Sequence, residues 1–299
     1  MIQNIKNITV IGSGTMGNGI CHVFAQSGFK VNMMDINQAA MDKAMATIAK
    51  NMDRQIAKGG MTEEAKATAL ANISTYTDMA AAVKDADLVV EAATENVDLK
   101  MNIFKQLDEL APAKTILASN TSSISLTRIA AHTKRPGKVI GMHFMNPVPV
   151  MKLVEIINGY ATDKEVTQLI HELSVFIGKV PCVANDFPGF ISNRILMPMI
   201  NEAILSLQEG VASIEDIDSI MKLGMAHPMG PLQLADFIGL DTCLNILNVL
   251  YDGFGNPKYA PATILVNMVQ AGYLGCKSGE GFYKYTPGSK ELVVSSRFK

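Results

Sequence analysis

The chain contains no tryptophan, few cysteines and no excess of charge of either sign. A net charge of −2 over 299 residues offers no basic surface, so we expect no nucleic-acid partner. No apolar run reaches the roughly 18 residues that a membrane span needs, so we expect no membrane partner. The N-terminus leads straight into a strand pattern, so we expect no signal peptide. Together these absences favour a cytoplasmic protein.

The number and spacing of the cysteines indicate which kinds of site the protein lacks. The four cysteines stand far apart and form neither a CxxC pair nor a metal-ligand spacing with the five histidines. This pattern argues against a disulfide framework and indicates reduced thiols without a metal site. The four residues are Cys21, Cys182, Cys243 and Cys276.

A strand–turn–helix pattern near the N-terminus is the most specific feature present. Residues 8–11 are largely apolar, residues 12–17 read Gly-Ser-Gly-Thr-Met-Gly, and a helix pattern follows to residue 28. Gly12 allows a tight turn, Gly14 lets the backbone approach a pyrophosphate, and Gly17 lets the helix pack against the strand. Backbone N–H groups at the helix N-terminus bind phosphate oxygens. We therefore predict a dinucleotide site built from Gly12, Ser13, Gly14, Thr15, Met16 and Gly17.

Asp35 indicates which dinucleotide binds. It follows a second short strand pattern over residues 30–34 and lies about 20 residues beyond the glycines, where a carboxylate binds the adenosine ribose. The carboxylate would repel a 2′-phosphate, and residues 36–38 contain no arginine to accept one. The prediction is NAD rather than NADP.

The distribution of apolar residues predicts an α/β fold with two domains. Strands such as residues 87–91 and 115–119 are largely apolar runs, which is typical of a parallel sheet covered by helices on both faces. We predict a Rossmann-type, doubly wound and mainly parallel NAD-binding domain over residues 1–187. An all-helical domain for substrate binding and dimerisation follows over residues 188–299. Its helix patterns cover residues 191–208, 213–223, 230–251 and 261–271.

Polar residues that follow the strands are candidates for the active site, because ligands of doubly wound sheets bind beyond the carboxyl ends of the strands. Glu95 follows the strand that ends near residue 90, and His143 ends the strand that begins at residue 138. The strand over residues 115–119 is followed by Asn120, Thr121, Ser122 and Ser123.

His143 and Glu155 are predicted to form a pair. Each lies six positions from Pro149, so an antiparallel turn there would place them opposite each other. A carboxylate inside an apolar strand needs a partner, and Glu155 would raise the basicity of His143 and set its tautomer. The same residues are also compatible with a core histidine and a charge at the edge of a strand.

Several longer motifs resemble the 3-hydroxyacyl-CoA dehydrogenases, with the short bacterial 3-hydroxybutyryl-CoA dehydrogenases the best match in length. The resemblance covers roughly residues 5–285, nearly the whole chain. Residues 287–299 lie outside it, and we expect them to form a loose tail. The matching stretches are residues 12–17, 119–123 (SNTSS), 141–155 (GMHFMNPVPVMKLVE), 188–194 (PGFISNR), 227–231 (HPMGP) and 279–283 (GEGFY).

The resemblance implies a role for each matching residue. His143 would be the general base on the 3-hydroxyl group, and Glu155 would hold it. Ser122 and Asn193 would bind the substrate oxygen. From the residues alone, Ser122 could instead cap the helix near residue 126, and Asn193 could be a polar residue at a helix start. The further cofactor residues are Glu95, Lys100, Asn120 and Asn146.

A row of cations concerns the coenzyme A part of the substrate. Lys50, Arg54 and Lys58 recur every four residues and therefore share one face of a helix. The stripe could bind the phosphates of coenzyme A, or it could be an ordinary solvated surface. In the similar enzymes this helix lines the CoA entrance. Lys58 matches best, and Asn51 stands where some relatives have serine.

We therefore predict an NAD-dependent oxidoreductase. It would transfer hydride between NAD(H) and the 3-hydroxy or 3-keto group of a short acyl-CoA, 3-hydroxybutyryl-CoA or acetoacetyl-CoA, in fatty acid or butyrate metabolism. Two alternatives are a related dehydrogenase of a free hydroxy or sugar acid, and a non-catalytic NAD-binding structural protein. Apolar helix faces in the second domain predict a homodimer or a higher homo-oligomer.

Overall fold

The computed structural model describes residues 2–289 and 291–298. Contacts divide the chain into two compact units between Phe187 and Pro188. The first unit holds an eight-stranded sheet. Its strands are β1 (Asn7–Ile11), β2 (Lys30–Met34), β3 (Ile73–Tyr76), β4 (Leu88–Glu91), β5 (Ile116–Ser119), β6 (Val139–Phe144), β7 (Leu153–Asn158) and β8 (Val180–Asn185).

Seven α-helices connect these strands. Short 3₁₀ turns at Ile2–Asn4 and Pro136–Lys138 complete the unit. The helices are α1 (Thr15–Gln26), α2 (Gln38–Ala57), α3 (Glu63–Ala71), α4 (Met79–Val83), α5 (Val97–Leu110), α6 (Leu126–Ala130) and α7 (Lys164–Phe176).

The sheet is mainly parallel, in the order β3-β2-β1-β4-β5-β6-β7-β8. Only the β6–β7 pair is antiparallel, so β7 and β8 run against the other six strands. Every residue of β4, β5 and β6 is buried, because helices cover both faces, which explains their apolar runs. The predicted fold class is confirmed. The short edge strand β3, which mixes exposed and partly buried residues, has no apolar run that would reveal it in the sequence.

The second unit is helical and has its own apolar core, which includes Ile200, Leu232, Leu247 and Phe282. Its helices are α8 (Ser192–Gln208), α9 (Ile214–Gly224), α10 (Pro231–Ile238), α11 (Leu240–Phe254) and α12 (Thr263–Gln270). Strands β9 (Tyr283–Lys284) and β10 (Val293–Val294) pair antiparallel near the end of the chain. The 3₁₀ turns are Pro257–Tyr259 and Ser296–Phe298.

The prediction of one helix over residues 230–251 is wrong, because the chain bends by 97° between α10 and α11. The bend lies at Gly239, whose φ of +103° is accessible to glycine and strained for other residues. The apolar periodicity continues across the bend and therefore hides it in the sequence. Among the described residues, no single helix is long and apolar enough to cross a membrane, and only this bent pair meets the requirement when its helices are taken together.

The expectation of a loose tail after residue 286 is also wrong for the described residues. Ser295 is fully buried, and its Oγ donates a hydrogen bond to Glu280 Oε1 at 2.8 Å. The Phe298 ring lies 5.8 Å from the ring of the core residue Phe282. The guanidinium of Arg297 lies over the ring of Tyr273. Pairing and ring contacts therefore attach this segment to the helical unit.

Asp236 joins α10 to the chain around β9. Its carboxylate is fully buried and accepts hydrogen bonds from the backbone N–H groups of Phe282 (3.0 Å) and Tyr283 (2.8 Å) and from the Tyr285 hydroxyl (3.1 Å). Burial raises the pKa of Asp236 from 3.8 to about 6, although these hydrogen bonds oppose the change.

We predict that acidification from neutral pH towards pH 5 strengthens the helical unit through Asp236. The folded protein holds this proton more tightly than the unfolded chain, so the stability contribution rises as pH falls through the folded pKa of about 6. Hydrogen exchange of α10, corrected for intrinsic rates, measures the effect. Asp236→Asn should remove this part of the pH dependence, and the exposed Asp252→Asn should retain it. An equal slope in wild type and Asp236→Asn would contradict the prediction.

Candidate active site

The glycine turn after β1 has the geometry that the sequence predicts. Gly12 has a φ of +99°, and a Cβ there would lie 2.6 Å from the carbonyl oxygen of Ala92. A Cβ on Gly17 would overlap the carbonyl oxygen of Gly12, so the helix can pack on the turn only without a side chain. The turn and packing roles of these two glycines are confirmed.

Gly14 and the start of α1 leave space for a charged ligand. A Cβ on Gly14 would meet no described atom within 4 Å. Gly14 is also the N-cap, and no side chain of the described residues caps this helix end. The first turn contains no acidic residue. Uncapped N–H groups beside open space fit the pyrophosphate of a dinucleotide.

Asp35 is fixed at the end of β2, next to the glycine turn. Its Oδ2 accepts hydrogen bonds from the Ser13 backbone N–H at 2.9 Å and from Ser13 Oγ at 2.7 Å. Its Oδ1 accepts from the backbone N–H of Asn37 at 3.2 Å. Ser13 and Asn37 therefore orient a carboxylate where a ribose would bind, which fits NAD.

A cleft of about 1050 Å³ lies within the first unit beside these residues. Its walls come from the glycine turn, the end of β2, α2 and the loop after β6. Five predicted cofactor residues are not part of its lining, namely Met16, Gly17, Glu95, Lys100 and Asn120. The side chain of Met16 packs against the core instead. The predicted residues that line the cleft are Gly12, Ser13, Gly14, Thr15, Asp35, Asn51 and Asn146.

Glu95, Lys100 and Ser122 come together in one hydrogen-bonded network. Glu95 Oε1 accepts hydrogen bonds from the Ser122 backbone N–H at 2.7 Å, from Ser122 Oγ at 2.9 Å and from Thr121 Oγ1 at 2.9 Å. Glu95 Oε2 lies 3.6 Å from Lys100 Nζ. The carboxylate of Glu95 thus joins the loop after β5 to α5.

Glu91 anchors this network and was missed in the sequence. Its carboxylate is fully buried, lies 2.5 Å from Lys100 Nζ, and accepts a hydrogen bond from Ser119 Oγ at 2.8 Å. Lys100 is itself only 1% exposed and does not line the cleft. The assignment of Lys100 to the cofactor site stays a prediction, and the structure pairs its ammonium with Glu91 and Glu95. A charged residue ending an apolar strand was the available signal for Glu91.

The capping alternative for Ser122 is wrong. Ser125 is the N-cap of α6, and its side chain accepts a hydrogen bond from the backbone N–H of Arg128. Ser122 stands before this helix and is bonded to Glu95. Its side chain therefore helps to hold the loop after β5 through its bond to Glu95.

His143 and Glu155 form the predicted pair. They are directly opposite each other in the antiparallel β6–β7 ladder, and His143 Nδ1 lies 3.0 Å from Glu155 Oε2. Both are buried. Because β7 lies between β6 and β8, Glu155 is not a charge at the edge of the sheet. An ionised carboxylate can only accept, so in the neutral imidazole Nδ1 carries the proton and Nε2 has the lone pair that a base needs.

The three predicted asparagines have different surroundings. Asn120 Oδ1 accepts a hydrogen bond from the backbone N–H of Phe144 at 2.9 Å, which ties the end of β5 to the end of β6. Asn146 lines the cleft. Asn193 belongs to the second unit, where it is buried as the second residue of α8.

Helix α2 presents a row of residues to the cleft. Lys43, Thr47 and Asn51 line it, and the sequence analysis missed the first two. With about 100° per residue, Arg54 and Lys58 continue this row beyond the cleft, whereas Lys50 lies at its margin. Arg54 donates a hydrogen bond to Asn51 Oδ1 at 3.2 Å. All three predicted cations are exposed.

Comparison with known proteins identifies both units. Residues 7–187 match the family model "3-hydroxyacyl-CoA dehydrogenase, NAD binding domain", and residues 189–285 match the C-terminal domain of the same family. The chain is 52% identical to the 3-hydroxybutyryl-CoA dehydrogenase of Bradyrhizobium diazoefficiens, over 95% of this chain and 97% of that protein. It is 51% identical to the enzyme of the same name from Clostridioides difficile, over 93% of this chain and 99% of that protein.

One solved structure resembles this protein over nearly the whole length of both chains. The (S)-3-hydroxybutyryl-CoA dehydrogenase PaaH1 from Ralstonia eutropha superposes with a TM-score of 0.92 at 52% identity. The match covers 95% of this chain and all of that one. The predicted resemblance and the predicted cofactor, NAD, are confirmed.

We predict that Asp35→Asn weakens the preference for NADH over NADPH by about tenfold or more, because the neutral amide no longer repels the 2′-phosphate. The ratio of kcat/KM for the two cofactors measures the change. Asp42→Asn removes one negative charge from the exposed surface of α2 and should leave the ratio as it is. An unchanged ratio in Asp35→Asn would show that this carboxylate does not select the cofactor.

We predict that His143→Ala lowers kcat by a factor on the order of 10² to 10⁴, the usual contribution of a general base, and leaves the Kd of NADH unchanged. Turnover is followed by NADH oxidation and binding by calorimetry. His132→Ala, whose imidazole bonds to the Arg128 carbonyl outside the cleft, is the matched control. A normal kcat in His143→Ala would refute the assignment of His143 as the general acid and base.

Proposed function

Since the chain belongs to the 3-hydroxyacyl-CoA dehydrogenase family, we propose that it interconverts (S)-3-hydroxybutyryl-CoA and acetoacetyl-CoA with NAD(H). The observation that carries this proposal is the His143–Glu155 pair in the same unit as the cleft. Relatives more than 50% identical carry the name 3-hydroxybutyryl-CoA dehydrogenase, which supports the short acyl chain.

His143 moves the proton in this mechanism. Bound NAD supplies the hydride acceptor. Nε2 of His143 takes the proton of the 3-hydroxyl group as the hydride leaves C3, and the charge that forms on the imidazole is stabilised by Glu155 at 3.0 Å. In the opposite direction the same nitrogen returns the proton to the substrate oxygen.

Ser122 positions the substrate oxygen. In the structure the Ser122 hydroxyl donates to Glu95. To donate to a substrate oxygen, this O–H group must turn away from Glu95, which keeps its bonds to the Ser122 backbone N–H and to Thr121. Glu95 therefore holds the loop in place while the hydroxyl changes its acceptor.

Arg54 and Lys58 bind the phosphates of coenzyme A. They continue the row on α2 that begins in the cleft, so a CoA tail leaving the cleft along this helix would meet both cations. Phosphate oxygens form strong charge-assisted hydrogen bonds with guanidinium and ammonium groups. Lys50, at the margin of the row, contributes less.

The proposed reaction is tested by NADH oxidation with acetoacetyl-CoA, longer 3-ketoacyl-CoAs and free acetoacetate. Activity should be highest with acetoacetyl-CoA and should fall sharply without the CoA part. Comparable kcat/KM for free acetoacetate would favour a dehydrogenase of free hydroxy acids instead. No turnover with any 3-ketoacyl-CoA, together with normal NADH binding, would favour a non-catalytic NAD-binding protein.

We predict that the double variant Arg54→Gln, Lys58→Gln raises the KM for acetoacetyl-CoA by about tenfold, since two charge-assisted contacts to phosphate are lost. The KM for NADH should not change. Steady-state kinetics with each substrate varied in turn separates the two effects. Lys84→Gln removes an exposed cation in the turn before β4 and serves as the control. An unchanged KM for acetoacetyl-CoA would indicate an ordinary solvated surface.

We also propose a cytoplasmic homodimer that works in fatty acid or butyrate metabolism. Four free cysteines support a reducing compartment. Exposed apolar side chains on α9 and α10, including Ile220, Leu223 and Phe237, support association through the helical unit. Light scattering coupled to size exclusion tests the assembly, and a monomer at all concentrations would refute it.

A further inference from the structure

Lys179 is a buried lysine outside the site described so far. It lies in the turn between α7 and β8 and is only 8% exposed. No carboxylate of the described residues forms an ion pair with it. Its ammonium instead donates to two backbone carbonyl oxygens, those of Val148 at 2.5 Å and Met151 at 2.8 Å. Burial lowers the pKa of Lys179 below its ordinary value.

Both carbonyls belong to the loop between β6 and β7. This loop joins the strand of His143 to the strand of Glu155, and its residues 146–149 form one wall of the cleft. The loop turns on itself, because Pro147 O accepts hydrogen bonds from the backbone N–H groups of Val150 and Met151. The carbonyl of Val148 points the other way, to Lys179.

The loop also contacts α1 through Val148. A Cβ on Gly19 would lie 2.8 Å from Val148 Cβ, so the helix backbone itself contacts Val148. Lys179 is in turn fixed by β8, since Val180 N donates to Lys152 O at 2.8 Å directly after the loop. Val148 therefore contacts both the helix that carries the glycine turn and the lysine that precedes the edge strand β8.

We propose that Lys179 is a positioning residue for the cofactor, which fixes the wall of residues 146–149 through the carbonyls of Val148 and Met151. It touches neither cofactor nor substrate. Without its ammonium, the buried carbonyl of Val148 and the partly buried carbonyl of Met151 lose this donor, which is costly unless the loop moves to reach water. Such a movement would carry Asn146 and Val148, both of which line the cleft, away from the cofactor.

Lys179→Met tests the proposal, because methionine keeps the apolar stem and removes the donor. Calorimetric titration should give a Kd for NADH about tenfold higher than wild type, the size expected when one buried and one partly buried hydrogen bond are broken and part of the loss falls on binding. The KM for acetoacetyl-CoA should change less than the Kd for NADH. Lys179→Arg, which keeps the cation and its donors, should restore most of the affinity.

Lys138→Met is the matched control. Lys138 also donates from its ammonium to a backbone carbonyl, that of Ala113 at 2.9 Å, but at an exposed position just before β6. It should bind NADH as wild type does. A lower thermal midpoint with unchanged Kd for NADH in Lys179→Met would overturn the proposal, since the lysine would then be merely structural. If that variant does not fold, Lys179→Gln replaces it, with an intermediate rise in Kd expected and an unchanged Kd again refuting the idea.

The inference depends on the NAD site and not on the substrate. Wild-type protein that binds NADH without turning over acetoacetyl-CoA would refute the proposed function and leave this test intact. An unchanged Kd for NADH in Lys179→Met, together with normal turnover of acetoacetyl-CoA, would refute the role of Lys179 and leave the proposed function intact.

Discussion

The reversal of direction between β6 and β7 is the constraint on which the active site depends. In a sheet that is otherwise mainly parallel, a crossover helix would return the chain to the far edge before the next strand begins. The short antiparallel connection instead keeps residues 145–152 at the ligand-binding edge. It places Glu155 opposite His143 and builds a wall of the cleft from the intervening loop. The proposed acid–base residue, its carboxylate partner and one wall of the cleft thus come from one hairpin.

Several charged side chains are buried, and each of them has specific partners. Removing one partner of a buried pair leaves the other charge without compensation, so each charge is surrounded by specific donors or acceptors. Glu91 is paired with Lys100, Glu155 with His143, and Lys179 with two carbonyls. All three hold the chain at the edge of the sheet where the cofactor binds. In the other unit, Asp236 accepts hydrogen bonds but forms no ion pair within the described part of the chain, and burial raises its pKa to about 6.

Much of the fold and part of the site could be predicted from the sequence. The glycine turn and Asp35 are local signals, because a turn, a helix start and a strand end within 30 residues leave few arrangements. The pairing of His143 with Glu155 followed from equal spacing about a proline turn. Other residues gave no such signal. Gly239 breaks a helix within a continuous apolar pattern, and Lys179 reads as a common cation after a helix end.

The sequence by itself determined the mainly parallel sheet and the preference for NAD, and it predicted the pairing of His143 with Glu155. These properties rest on short-range patterns: periodicity, turn residues and a carboxylate at a known spacing. Only the tertiary structure decided that Lys100 pairs with Glu91 and Glu95, that Lys179 binds the carbonyls of the loop after β6, and that Arg54 and Lys58 continue the cleft-lining row better than Lys50. These contacts join residues that are far apart in the chain. They are decided by which groups are buried and which hydrogen bonds must be satisfied, and no local sequence pattern encodes either.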